Sequence, residues 1–131
     1  MPVELVRSSR LYGGAPYAHA SIARAGALVF TAGACPLDER GATVGVGDVR
    51  VQAQQTMANL VEALAAAGAT LGDVLKTTIY VASADRRDLV AAWNEVRAAM
   101  GGHDAPSTLV GVTVLGYADQ LVEIEAVTAT A

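Results

Sequence analysis

The sequence predicts an α+β or α/β sandwich, a sheet with two helices on one of its faces. Three observations predict it. Two stretches of helical spacing flank a short β-branched run, apolar runs of strand length precede the first and follow the second, and no third amphipathic helix is present. The 131 residues suit a single domain, 1–131, since two domains of half that length would each bury too little apolar surface.

The first clear run, "ALVFTAGA", is short and apolar and passes into "CPLDERGATV", where Pro36, Asp38 and Gly41 are turn residues, so a strand leading into a loop is expected. From Asp48, "DVRVQAQQTMANLVEALAAAG" sets Met57, Leu60, Val61 and Leu64 at helical spacing, with Asp48 as N-cap and Gly68 as the stop. "LKTTIYVAS" is rich in β-branched residues and reads as a strand. In "ADRRDLVAAWNEVRAAMGG", Leu89, Trp93, Val96 and Met100 share one helix face, Asp85 caps the start and Gly101-Gly102 ends it. Two strands, "TLVGVTVL" and "QLVEIEAVTA", close the chain around a turn at "GYAD".

In the last strand, Glu123 and Glu125 share a face with Leu121 and Val127, while Val122, Ile124 and Ala126 point the other way. The strands read as apolar on both faces. With both helices on one face, the other is expected to pack against further copies of the chain, leaving the two glutamates in or beside an interface where a charge needs a partner.

Composition narrows the function. A net charge of −4, a single lysine (Lys76) and scattered arginines leave no basic stripe, which opposes a nucleic-acid partner. No apolar run reaches the roughly 20 residues that span a bilayer, and a soluble cytoplasmic protein is expected. Cys35 is the only cysteine, without an internal disulfide partner or zinc-ligand spacing, and is expected to be a small buried hydrophobe; the alternative is that, close after Gly33, it reaches a cleft, with no base evident to form a thiolate.

The segments "PYAHAS", "VFTAGACPLD", "GDVRVQAQQTMANLVEALAAAGATLGDVLKTTIYVAS" and "LVEIEAVTA" together resemble the Rid family, also called YjgF type and labelled endoribonuclease L-PSP. The resemblance runs in order over nearly the whole chain. It implies a chorismate-mutase-like, RidA-like fold with a mainly antiparallel sheet, and a homotrimer whose sheets form an internal barrel with small-molecule clefts between subunits. It also implies hydrolysis of enamines and imines to 2-keto acids and ammonia, with no cofactor and no metal.

That chemistry needs a cation for the substrate carboxylate and a carboxylate or ordered water at the C=N bond. By resemblance, Glu123 is the water-positioning glutamate and Tyr17 lines the cleft. The family's arginine, in a "PAR[ST]" segment, is missing. "APSTLVGV" laid against that segment places Ser107 at the arginine's position and Leu109 where cysteine is common, and Ala32 replaces a frequent serine. Loss of the guanidinium forfeits about 1.5–3 kcal/mol of charge-assisted contact, so the usual 2-imino acid is expected to bind poorly.

Each candidate has a plainer reading. Glu123 is either a catalytic carboxylate or an interface carboxylate held by amides or an arginine; Glu125 is more simply structural. Tyr17 is a ligand contact or a packing anchor. Ser107 and Thr108 are ligand donors or ordinary strand-start residues, and Gly33 and Gly111 admit a ligand or relieve strand crowding. His19 and His103 have the right chemistry for proton transfer without support from the resemblance, and Arg10 or Arg24 is a conceivable replacement cation. The expected function is enamine or imine hydrolysis on a substrate other than the usual 2-imino acids. The alternatives are a non-catalytic ligand-binding or regulatory trimer and, opposed by the acidic charge, RNA cleavage.

Overall fold

Alternation along the closing strand sets the layers of the fold. In β6 (Val122–Ala129), Val122, Ile124 and Ala126 are buried, while Glu123, Glu125 and Val127 are half-buried on the opposite face. The computed structural model describes residues 2–130. Before β6 come β1 (Val3–Val6), β2 (Ala20–Ala23), β3 (Leu28–Phe30), helix α1 (Val49–Ala66), β4 (Val74–Val81), helix α2 (Arg86–Met100) and β5 (Ser107–Gly111).

β1 and β2 form an antiparallel ribbon, and the other strands form one sheet in the order β3-β6-β4-β5. β6 is antiparallel to β3 and to β4, while β4 and β5 are parallel and joined through α2, the long connection that parallel neighbours need. Register is strict across the centre: Tyr80 stands opposite Glu123 and Val110, and Thr78 opposite Glu125 and Thr108.

The helix ends follow from their residues. Asp48 accepts from the Val51 amide at 3.1 Å and Asp85 from the Arg87 amide at 2.9 Å, satisfying amides that have no partner within the helix. Gly68 and Gly101 leave the two helices at φ of 78° and 64°, where a Cβ would be strained. Both helices rest on one sheet face. There Met57, Leu60 and Leu64 of α1 and Ala92 and Val96 of α2 join Val74, Ile79, Val81, Val122 and Ile124 in the core.

Three expectations are corrected. Val61 is exposed: the buried stripe of α1 runs instead through Gln52, Ala53, Thr56, Met57, Leu60 and Leu64. Gln52 belongs to it because its amide nitrogen donates to the carbonyls of Gly45 (3.2 Å) and Asp119 (2.9 Å) and its oxygen accepts from the Leu121 amide (2.7 Å), which offsets its burial. β5 ends at Gly111 instead of running to Leu115, and Val114 beyond it is exposed. The uncovered face of β4 is not apolar; it carries Lys76, Thr78 and Tyr80 between the buried Thr77, Ile79 and Val81.

Candidate functional site

A groove of ≈ 1010 Å³ opens between the segment following β3 and the flank of α1, with Thr31, Gly33, Cys35, Gln55, Asn59 and Tyr117 among its lining residues. α1 holds the loop wall directly. Asn59 donates to the carbonyls of Cys35 at 2.7 Å and Leu37 at 2.8 Å, and Gln55 in turn donates to the Asn59 oxygen at 2.9 Å. On the other side, backbone bonds between Ala34 and Ile124 bind the segment to β6. The loop is therefore anchored from a helix and a strand at once, which suits a surface that must keep its shape.

Glu123 stands against this wall, its carboxylate beside Gly33 and Cys35, which line the groove. Its Oε1 accepts from Gln120 Nε2 at 3.1 Å and from the Cys35 thiol at 3.3 Å. Gln120 is buried and its amide orientation follows from its partners: the oxygen accepts from the Tyr117 amide at 3.0 Å, so the nitrogen faces the Val122 carbonyl and Glu123. Cys35 is half-buried and polar in its contacts, not the buried hydrophobe expected. Burial, then the hydrogen bond and negative charge of Glu123, push its thiol from 9.0 up to about 11, so it stays a protonated donor. Gly33 completes the arrangement, since a Cβ there would lie 2.6 Å from Glu123 Cδ.

The other expected residues are distributed elsewhere. Tyr17 packs edge-on against Trp93 of α2, ring centroids 6.2 Å apart, the anchor geometry of the plainer reading. Ser107 stands opposite Thr77 on the helix side of the sheet; its hydroxyl donates to the Ala105 carbonyl at 3.0 Å and meets the Thr77 hydroxyl at 2.5 Å. It is thus turned away from the face that carries Glu123, because residues paired across strands share a face. Thr108 is on the Glu123 face, where it accepts from Lys76 Nζ at 2.6 Å. Gly111 is explained by close packing, as a Cβ would come within 2.7 Å of the Ser83 carbonyl oxygen. Glu125 accepts from the Tyr80 hydroxyl at 2.6 Å, a contact that raises the tyrosine's pKa.

Neither histidine nor arginine candidate joins Glu123. His19 accepts from the Ser8 amide at Nδ1 (2.9 Å), which leaves Nε2–H for the Tyr12 carbonyl (3.3 Å), and His103 Nε2 donates to the Val74 carbonyl at 2.7 Å. Arg24 pairs with Glu4, and the amide of Arg10 bonds to Ser8. Gln120 is the site residue that sequence reasoning passed over, while Cys35 was weighed chiefly as a buried hydrophobe. The available signal was Gln120 in "ADQLVEIE", a polar residue at the entrance to an apolar strand three places before Glu123.

The endoribonuclease L-PSP family model matches residues 8–130. The RutC family protein PH0854 of Pyrococcus horikoshii is 36% identical over 112 residues, 86% of this chain and 85% of the relative. The 2-iminobutanoate/2-iminopropanoate deaminase of Salmonella typhimurium is 39% identical over 56 residues, 43% of each chain. Among solved structures, the Rid-family protein YyfB of Yersinia pestis matches with a TM-score of 0.92 at 32% identity, covering 99% of this chain and 100% of that one. E. coli TdcF with bound serine matches at 0.70 and 26% identity, covering 98% and 99%. With the family match over nearly its whole length and the same fold in these structures, the chain belongs to the Rid, or YjgF, family, described also as endoribonuclease L-PSP.

Proposed function

We propose that the protein is a single-domain, homotrimeric enamine or imine hydrolase whose substrate is not one of the usual 2-imino acids. The observation that carries the proposal is the Glu123 carboxylate, tied by Oε1 to Gln120 and Cys35 beside a groove-lining glycine. A carboxylate so placed takes a proton from water as the water oxygen bonds to the C=N carbon and the C=N electron pair moves to nitrogen. Returned to nitrogen, that proton completes the carbinolamine; the carboxylate then takes the proton of the carbinolamine hydroxyl and passes it to the amino nitrogen, so that the C–N bond breaks, ammonia leaves and the carbonyl forms; an enamine is first protonated at carbon.

Support for a different substrate comes from the groove itself. Among its described lining residues are Asp38, Glu39 and Glu62 but no Lys or Arg, a field that repels a carboxylate ligand and accepts a neutral imine. Support for self-association comes from the sheet's uncovered face and its edge strand β3, where Phe30 is 72% and Leu28 54% exposed. Among the described residues no helix is long and apolar enough to cross a membrane.

The test is ammonia release from imines generated in place, charged and neutral, by the wild type and Glu123→Gln. Turnover of neutral imines that disappears in Glu123→Gln is expected. Turnover of 2-imino acids at comparable rates would overturn the substrate assignment, and equal ligand binding by both forms with no turnover would make the protein a non-catalytic binding trimer.

A further inference from the structure

We propose that Cys35 and Gln120 are positioning residues that hold Glu123 by Oε1 alone and thereby make Oε2 the atom that exchanges the proton with water. The inference rests on the function proposed above and deepens it. Both donors converge on one oxygen, at 3.3 and 3.1 Å, and no described residue donates to Oε2. Oε2 is also absent from the buried polar atoms lacking a partner among the described residues, which are Thr56 Oγ1 and Thr128 Oγ1, so within the single chain it is not fully buried. It is the Glu123 atom nearest to the position a Cβ on Gly33 would take.

Each anchor is itself held. Asn59 fixes the Cys35 and Leu37 carbonyls, and the Tyr117 amide with the Val122 carbonyl fixes the Gln120 amide plane. Two hydrogen bonds to one oxygen, with Gly33 leaving room on the other side, determine the orientation of the carboxylate plane. Charge on Oε1 is already stabilised by N–H and S–H, while Oε2 keeps its lone pairs for a proton. The thiol in this scheme is a fixed donor and neither attacks nor is consumed.

The experiment compares Cys35→Ala, Cys35→Ser, Gln120→Leu and Glu123→Gln with the wild type on whichever imine the wild type turns over. Cys35→Ala and Gln120→Leu are expected to lower kcat by about tenfold to a hundredfold, as loss of a hydrogen-bonded support does around metal ligands, with KM within about twofold. Cys35→Ser keeps a donor and should restore most of kcat. Wild-type kcat in Cys35→Ala and Gln120→Leu, with Glu123→Gln inactive, would overturn this inference and leave the proposed function standing. Turnover by Glu123→Gln would overturn both. Crystal structures give a readout without activity: one Glu123 rotamer is expected in wild type and Cys35→Ser and more than one in Cys35→Ala, and an unmoved single rotamer in Cys35→Ala and Gln120→Leu would also overturn it.

Discussion

Gly33 and Glu123, ninety residues apart in the chain, fill one site between them: a Cβ on Gly33 would stand 2.6 Å from Cδ and 2.8 Å from Cγ of the glutamate. Gly33 is not at positive φ, so a side chain there is opposed by Glu123 and not by the backbone. Gly33→Ala should therefore fold, with a stability loss of about 1–3 kcal/mol or less because the opposing group is flexible. Displacing the carboxylate should lower turnover or ligand affinity more than tenfold, on the order of 1.4 kcal/mol or more. A thermal melt beside steady-state kinetics checks both halves.

Cys35 makes the protein sensitive to alkaline pH. Its folded pKa of about 11 lies above the ordinary 9.0, chiefly through burial and next through Glu123. The folded state therefore holds the proton more tightly than the unfolded state. Its contribution is fully present below pH 9.0 and is lost as pH rises through about 11, so unfolding free energy should decline across that window in wild type and less in Cys35→Ala. Thiolate ultraviolet absorbance should titrate near the folded value, and Glu123→Gln should bring the midpoint down without returning it to 9.0, because burial remains.

Gln52 is fully buried in α1 and makes three hydrogen bonds to the loops beside the groove. Gln52→Ala removes these, leaves the Leu121 amide without its acceptor and opens a cavity. Denaturant unfolding should show a loss of about 2–4 kcal/mol. Gln52→Leu, which fills the volume but satisfies nothing, should recover only part of it.

Gly111 separates packing from ligand contact. A Cβ would meet the Ser83 carbonyl at 2.7 Å, and backbone yields less readily than a side chain. Gly111→Ala should cost about 1–3 kcal/mol of stability through displacement of β5 from the end of β4. Measured per folded protein, kcat/KM should stay within about twofold of wild type.

The uneven legibility of the site has a physical cause. Caps and stops such as Asp48, Asp85, Gly68 and Gly101 act within a few residues of where they stand, and the structure has them where the sequence placed them. The faces of "LVEIEAV" were legible for the same reason, since alternation is a local property. Ser107 was placed by resemblance at a position whose side chain turns to Thr77, because one step of strand phase reverses the face and no residue nearby reveals that phase. Cys35 read as a small hydrophobe because the residue that makes it polar in its contacts lies 88 positions away.

By itself, then, the sequence determined the two helices with their ends, the order of elements along the chain that yields an α+β fold, the family, and the face on which Glu123 stands. All of these follow from periodicity, capping and short motifs. The tertiary structure decided what Glu123 meets: Cys35 and Gln120 on one oxygen, Gly33 beside the other, and Tyr17 committed to Trp93. It also set the packing reason for Gly111 and the exposure of Val61. These depend on how α1, β6 and the segment after β3 approach one another, and contact between distant residues is created by packing, which no local pattern encodes.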